Sequence, residues 1–283
     1  MLYNRTSQVF SVIQLPKTSV VEDFGVAECC VPELVLANGS ENWQNQVTSA
    51  FIKLQLVTDT VNFVLKKDDV NATYQPTNVQ CTNDSLGYYC TVDWTDVINS
   101  DGIGCYSIEI NYNIDGNVGV IEWGKYNVQE YSVEKAVGTV MIKAIYNQYH
   151  SRENIDFTDS NVVDTIRVNG MFGKRDPKTV IDNLIYQNNK LENVIRENVN
   201  NFIFESDAIQ EKYSTKLIDL YFLSETDLYL TDHNFHNHNQ ALKDFNVIVS
   251  ESPTFEYLEG SKFAKIKCIF VEKIRNSFSK YNG

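Results

Sequence analysis

The chain of 283 residues lacks any apolar run long enough to cross a membrane. None of its hydrophobic stretches approaches the roughly 18 residues that a transmembrane helix needs. The amino terminus, Met1 to Phe10, also does not place a charged segment before a long apolar core, which is the pattern of a secretory signal. We therefore expect no membrane partner and synthesis in the cytoplasm.

The signatures of common catalytic sites are missing as well. The sequence contains no Gly-x-Ser-x-Gly, no phosphate-binding loop with its lysine and no His-Glu-x-x-His. Gly102-Ile-Gly104 and Gly170-Met-Phe-Gly173 lack the third glycine of a dinucleotide site, and we interpret both as turns. These absences predict a protein that is not an enzyme and that needs no cofactor.

Basic charge is scarce. The chain has 24 Lys and Arg against 37 Asp and Glu, a formal net charge of −13. Residues 1–150 carry 8 basic and 17 acidic side chains, and residues 151–283 carry 16 and 20. A broad basic face that grips phosphate backbones is therefore excluded. DNA could still pass along such a surface without specific binding.

What the chain does have is strand alternation, which is clearest between residues 106 and 123. In Tyr106–Ile114 every second residue is apolar, so one face of a strand is apolar. Asp115-Gly116-Asn117 follows, and Val118–Trp123 alternates again. An Asp-Gly step supplies the positive φ of a tight hairpin turn, so this stretch predicts a β-hairpin.

Strand patterns at similar spacing predict a mainly β, α+β protein. We expect an antiparallel β-sandwich or jelly roll over residues 1–150 and a mixed α+β segment over 151–283. A helical turn is expected at Asp93–Ile98, and one amphipathic helix at Ile209–Ser224. The predicted strands are Gln8–Ile13, Glu33–Leu36, Phe51–Val57, Thr60–Lys66, Tyr88–Val92, Tyr106–Ile114, Val118–Tyr126, Thr139–Tyr146, Asp227–Leu230, Asn246–Ser250 and Phe263–Val271.

The segment Lys178–Glu205 is compatible with a helix or with two strands. Its apolar spacing fits a helix that begins at Pro177. Seven Asn between residues 183 and 201 argue against a helix, because Asn is an unfavourable helix residue. We favour two strands, with Gln187-Asn188-Asn189 at the turn.

Three of the four histidines lie in one short stretch, Thr231–His238. His233, His236 and His238, with Asp232 beside them, are weak candidates for a zinc site. The alternative, which we favour, is an exposed polar loop that contacts another subunit through His233, Phe235, His236 and His238. We expect no bound metal here.

Two other groups of residues have a functional and a structural interpretation. Asp93 and Asp96 could form the carboxylate pair of a glycosidase, and Trp94 and Trp123 could stack on sugars. Carboxylate pairs are common in a chain with this many acids, so we favour a structural role. The six cysteines are expected to be reduced core residues, with a Cys81–Cys90 bridge as the alternative.

Aromatic, Gly and Asp/Asn residues recur in several short segments of the chain: Val92-Asp-Trp94, Gly102–Tyr106, Gly138-Thr-Val140, Ile155-Asp-Phe157, Ile166–Gly170, Phe172-Gly173, Asp182-Asn183 and Thr231–His238. In these segments the sequence resembles a family of structural proteins of crAss-like bacteriophages and related prophages. It implies a subunit of a collar or tail ring in a short-tailed virion, located in the virion after synthesis in the host cytoplasm. The family has no catalytic residues to assign here.

This resemblance implies partners as well as a location. The expected partners are copies of the same chain in a ring and the neighbouring portal or tail proteins, with genomic DNA passing through the lumen. The sandwich edges, the loop at 231–240 and the segment 151–283 are the expected contact surfaces. The alternative function is a carbohydrate-binding module or adhesin.

Overall fold

The structure is a computed structural model that describes residues 33–114, 116–151, 153–185, 191–223, 227–234, 242–258 and 263–273. For residues 174–185, 191–200 and 211–212 it describes the backbone alone. Strands dominate, so the predicted mainly β, α+β class is confirmed. The predicted strand Gln8–Ile13 lies outside the described residues.

The strands of the first half are β1 (Glu33–Ala37), β2 (Val47–Lys53), β3 (Thr60–Lys67), β4 (Val70–Asn71), β5 (Val79–Gln80), β6 (Gly87–Asp93), β7 (Gly104–Ile114), β8 (Asn117–Glu130) and β9 (Thr139–Tyr146). The later strands are β10 (Tyr149–His150), β11 (Ile155–Asp156), β12 (Val162–Ile185), β13 (Leu191–Ser206), β14 (Ile209–Gln210), β15 (Asp227–Asp232), β16 (Phe245–Tyr257) and β17 (Phe263–Glu272). The α-helices are α1 (Trp94–Asp101), α2 (Val133–Ala136) and α3 (Glu211–Lys216), which continues into a π-helical turn at Leu217–Phe222. A short 3₁₀ turn covers Asn42–Gln44.

The first half forms two sheets. One has the order β1-β8-β7-β3-β4 and the other β2-β6-β5. Neighbouring strands are antiparallel except for the parallel pair β1 and β8. The rings of Phe51 in β2 and Trp123 in β8 lie 5.0 Å apart, so the two sheets share a core. The predicted hairpin is confirmed, because Ile114 pairs with Asn117 and Gly116 has a φ of 78°.

The second half is built around a closed barrel of six antiparallel strands. The order is β13-β12-β9-β15-β16-β17, and β17 pairs again with β13. Closure leaves the barrel itself without an open edge. β9 belongs to this barrel although it precedes residue 150, where the sequence suggested a domain boundary. One cluster of buried apolar residues extends from the first sheets into the barrel.

The barrel strands confirm several sequence predictions. In β17, Ala264, Ile266, Cys268 and Phe270 are buried whereas the lysines between them are exposed. The segment after residue 178 forms two strands, as favoured, although the turn expected at 187–189 lies outside the described residues. The predicted helix at 209–224 is observed as α3 and its π-helical turn, which bury Leu217.

Two predictions about local structure are wrong. Gly170-Met-Phe-Gly173 is not a turn but part of β12, with a register shift between Phe172 and Lys174. The strand predicted at Phe51–Val57 is β2, which starts earlier and ends at Lys53. It ends there because the carboxylate of Asp59 accepts the main-chain N–H groups of Gln55 and Leu56, which turns the chain.

The outer edge of β3 pairs with the short strand β4 only at Lys66 and Lys67, and side-chain amides cover the part before it. The Gln75 amide accepts from the Leu65 N–H at 3.1 Å and donates to the Leu65 carbonyl at 2.9 Å. The Asn78 amide accepts from the Phe63 N–H and donates to the Val61 carbonyl, both at 3.0 Å. These amides occupy groups that would otherwise be available to a foreign strand.

Candidate functional site

The most distinctive surface is a two-stranded ribbon that continues β12 and β13 beyond the barrel. β12 pairs with β9 as far as Asn169, and β13 pairs with β17 as far as Asn201. From Pro177 opposite Asn200 to Ile185 opposite Leu191, the two strands pair only with each other within the described chain. At about 3.3 Å per residue, this gives a ribbon about 30 Å long.

The ribbon is rich in aliphatic residues for a structure with two strands. Of the 19 residues in 177–185 and 191–200, eight are aliphatic: Val180, Ile181, Leu184, Ile185, Leu191, Val194, Ile195 and Val199. An isolated two-stranded hairpin is marginal in water and needs a third strand or a packing layer for stability. The ribbon is therefore the strongest candidate for an interaction surface.

The root of the ribbon is fixed by short backbone contacts at Gly170. Its φ is 151°, and a Cβ at this position would lie 2.4 Å from the carbonyl oxygen of Glu205. Only glycine fits such a close approach of two strands. The side chain of Asn234 donates to the Gly170 carbonyl at 2.8 Å and accepts from the Gly138 N–H at 3.1 Å. The base of the ribbon is thus tied to two other parts of the barrel end.

The ribbon leaves the barrel at the end where the predicted histidine loop begins. In the antiparallel ladders, Asn169 of β12 is level with Thr139 of β9, and Thr139 lies next to the end of β15 at Asp232. The His233 N–H donates to the Thr139 carbonyl at 3.1 Å. Phe235, His236 and His238 lie outside the described residues, so their predicted subunit contacts stay predictions.

His233 itself is not on an exposed loop, and this prediction is wrong. The residue is fully buried, and its ring lies 5.6 Å from the Trp43 ring and 6.0 Å from the Tyr131 ring. Neither ring nitrogen has a hydrogen-bond partner among the residues that the structure describes. Burial, with Arg167 and Lys243 nearby, lowers the pKa of His233 to about 3, so the imidazole is neutral. A neighbouring copy cannot touch this side chain in the folded chain.

Arg167 of β12 is a buried charged residue near His233. It is buried, and its Nε and Nη1 donate at 2.9 Å to Gln46 Oε1 and to Thr139 Oγ1. It forms no ion pair with a carboxylate among the described residues. Burial lowers the pKa of Arg167 to about 10, which leaves it positively charged at neutral pH.

A second buried polar cluster contains one cation and two carboxyl groups. Lys216 of α3 donates to Glu33 of β1 at 2.7 Å, and both side chains are buried. Asp164 of β12 accepts from the Ser49 N–H at 3.0 Å and from the Tyr221 hydroxyl at 2.7 Å. Burial raises the pKa of Asp164 in spite of these bonds and of Lys216. The cluster joins β1, β2, α3 and the barrel.

These buried charges were not predicted, although the sequence places two charged residues inside a strand pattern. Asp164 and Arg167 stand within the run Val162–Val168, in which the other residues are apolar except Thr165. A charged residue in a continuous apolar strand is buried on one face or the other, and it then needs partners.

The structure gives the proposed sugar and glycosidase residues structural roles. Trp94 is fully buried and donates its indole N–H to Thr48 Oγ1 at 2.8 Å, and Trp123 is also buried. Neither ring is available to stack on a sugar, so this interpretation is wrong. Asp93 is the N-cap of α1, where it accepts from the Thr95 N–H at 2.8 Å, whereas Asp96 is exposed.

The cysteines and the metal hypothesis have mixed outcomes. Cys81 and Cys90 are free and buried, so the alternative bridge is not formed, and Cys268 is also free. Cys105 is disulfide-bonded, so the expectation of six reduced cysteines is wrong at this position. In the described ranges, no cluster of three or more potential metal ligands is found. The absence of metal from the histidine loop stays a prediction, because His236 and His238 are not described.

Comparisons with models of known protein families and with curated proteins gave no match. Among the helices of the described residues, none combines the length and apolar character that a membrane crossing requires.

Proposed function

We propose that this chain is a virion structural protein, a subunit of a ring in the portal–collar–tail assembly of a short-tailed bacteriophage. The observation that carries the proposal is the ribbon of residues 177–185 and 191–200. It extends beyond a closed barrel, contains eight aliphatic residues and pairs with no third strand of the described chain. The sequence resemblance to ring proteins of crAss-like phages supports the same function.

A ring explains why the ribbon pairs with no third strand of the described chain. In a closed ring each subunit contacts its neighbour through two different surfaces, so the ribbon of one copy packs on another surface of the next. A neighbouring copy supplies a third strand for the ribbon, which pairs with none within the described chain. A stable contact of this kind buries on the order of 1,200 Å² or more.

The charge of the chain suits a ring around a DNA channel. Lys and Arg that face the lumen would hold phosphates and slow the passage of DNA. A net charge of −13 instead favours passage without specific binding. We expect the lumen to contain more Asp, Glu and Asn than Lys and Arg, which a structure of the assembled ring would check.

The experiment that tests the proposal is a comparison of assembly between two variants of the ribbon. In Val180→Lys/Ile195→Lys, two aliphatic residues become charged, and we expect rings to be lost from purified protein viewed by negative-stain microscopy and mass photometry. The control, Thr179→Lys/Asn198→Lys, adds the same charge to polar positions of the same ribbon and should still form rings.

Assembly that requires a portal template is tested in virions. Quantitative mass spectrometry of purified particles should find the wild-type chain at the copy number of a ring and the aliphatic variant depleted. Absence of the wild-type protein, or its presence at one or two copies per particle, would contradict the proposal.

A further inference from the structure

The cluster around Arg167 has more hydrogen-bond donors than acceptors. A guanidinium carries five N–H donors. The Nη2 group of Arg167 has only long contacts, 3.5 Å to the Gln44 carbonyl and 3.7 Å to Met141 Sδ. Gln46 Oε1 accepts from the Leu36 N–H and from Arg167 Nε, and the buried Nε2 group of Gln46 has no partner within the described chain. Unpartnered buried donors are unfavourable and are normally satisfied by a ligand, ion or water.

His233 adds a further polar group to the same cluster. Its two ring nitrogens have no partner, and a neutral imidazole carries one N–H donor. Thr139 connects it to Arg167, because the Thr139 hydroxyl accepts from Arg167 while the Thr139 carbonyl accepts from the His233 N–H. Thr139 therefore joins Arg167 to the main chain of His233, and Arg167 is close enough to contribute to the lowered pKa of the His233 ring.

The charges around the cluster favour an anion. Asp232 precedes His233, but its Oδ1 accepts from the main chain and side chain of Asn234, and it makes no ion pair with Arg167. Lys243 is exposed at the surface, with its Nζ 4.0 Å from the centre of the Trp43 ring. Trp43 is only half-buried, so the site lies just beneath the surface with a cation at its entrance.

We propose that Arg167, Gln46 and His233 bind a small inorganic anion such as chloride between the loop at Trp43 and the barrel. The guanidinium supplies the charge, and the Gln46 amide and the imidazole N–H supply further donors. The anion balances a buried arginine that has no carboxylate partner, and it links the first half of the chain to the end of the barrel where the ribbon is rooted.

The test measures the thermal unfolding midpoint of the full chain as chloride replaces gluconate at constant ionic strength. A ligand that binds only the folded state raises the midpoint as its concentration increases, so we expect a rise with chloride that levels off at saturation. An unfolding midpoint that does not respond to chloride overturns the proposal. In crystals soaked in bromide, an anomalous peak is expected beside Arg167 and His233, and a site without a peak likewise overturns it.

Two matched variants separate this site from general salt effects. Gln46→Glu keeps the acceptor oxygen for Leu36 and Arg167 but places a carboxylate oxygen at the position of Nε2. It should abolish the chloride response, because the internal carboxylate replaces the anion. Gln75→Glu makes the same change at an amide whose donors are already satisfied, and it should keep the response. Loss of the response in Gln75→Glu, or its persistence in Gln46→Glu, would contradict the assigned site.

Discussion

Two buried polar clusters connect the first half of the chain to the barrel, and they solve the problem of buried charge differently. Around Glu33, Lys216 and Asp164, opposite charges and hydroxyl groups face each other. Around Arg167 and His233, a charge and several donors meet only neutral acceptors. β12 supplies Asp164 to one cluster and Arg167 to the other, and residues three apart in a strand lie on opposite faces.

The two clusters differ in whether the buried cation has a carboxylate partner among the described residues. A buried charge is tolerated when it is paired and hydrogen-bonded, and removing one partner leaves the other at a large cost. The first cluster contains an ion pair and a carboxyl group that accepts two hydrogen bonds. The second contains a cation that has no carboxylate partner among the described residues, which is why it, and not the ion pair, leads to a proposed ligand.

Removing the cation from the cluster of Glu33, Lys216 and Asp164 should have the greatest effect on stability. Burial disfavours the charged form of Lys216, yet Glu33 and Asp164 raise its pKa overall. Lys216→Met leaves both carboxylates without their cation, and we expect a loss of about 3–5 kcal/mol in the free energy of unfolding, measured with urea. The double variant Glu33→Gln/Lys216→Met should recover part of this loss. A loss under about 1 kcal/mol would mean that the pair acts like an exposed salt bridge.

Two buried tyrosines, Tyr221 and Tyr146, test whether Asp164 is ionised, and their removal should have a smaller effect on stability. The Tyr221 hydroxyl donates to the Asp164 carboxylate, whereas the equally buried Tyr146 hydroxyl donates to the Leu220 carbonyl at 2.6 Å. Tyr221→Phe should cost about 1.5–3 kcal/mol and Tyr146→Phe about 0.5–1.5 kcal/mol, because bonds to ionised groups are stronger. Equal losses in urea unfolding would show that Asp164 is not ionised at the pH of the measurement.

The smallest expected effect is the pH dependence of stability that comes from His233, in the cluster around Arg167. The pKa of His233 is about 3 in the folded chain and near 6.5 when unfolded. Between these two pKa values the unfolded state binds more protons than the folded state. The contribution of His233 to the free energy of unfolding is therefore fully present above pH 6.5 and decreases as the pH falls. Between pH 7 and 5.5 in chloride-free buffer we expect a loss of about 1 kcal/mol from this residue.

The matched variant for the pH prediction is His233→Phe, which keeps an aromatic ring beside Trp43 but cannot be protonated. Its stability should vary less than that of the wild type over the same pH interval, as measured by urea unfolding. Identical pH profiles for the two proteins would show that His233 does not titrate in the unfolding equilibrium. Chloride should reduce the pH dependence of the wild type, because a bound anion favours the protonated imidazole.

Local patterns were sufficient for the elements that pair with their neighbours in sequence. Alternation and an Asp-Gly step predicted the hairpin of β7 and β8, and alternation in β17 predicted which of its residues are buried. Closure of the barrel was not predicted. The pairing of Phe202 with Phe270 joins residues far apart in the chain, and such contacts have no local signal.

The candidate site was harder to predict for the same reason. Asn and His around residue 233 are typical of an exposed loop, yet Trp43, distant in sequence, and Tyr131 lie against the His233 ring. Gly170 was interpreted as a turn because glycine is common in turns. Here it serves a close approach of β12 to β13, which depends on tertiary structure.

The continuity of the ribbon with the barrel has a mechanical consequence. A pull along the ribbon acts along the axes of β12 and β13, and each of these strands is hydrogen-bonded on its other side once it enters the barrel. Antiparallel hydrogen bonds run perpendicular to the strands, so such a force loads all the bonds of a ladder together instead of opening them one at a time. The chain therefore resists tension best when the force acts along the ribbon, because the ladders of β12 and β13 are then loaded in shear.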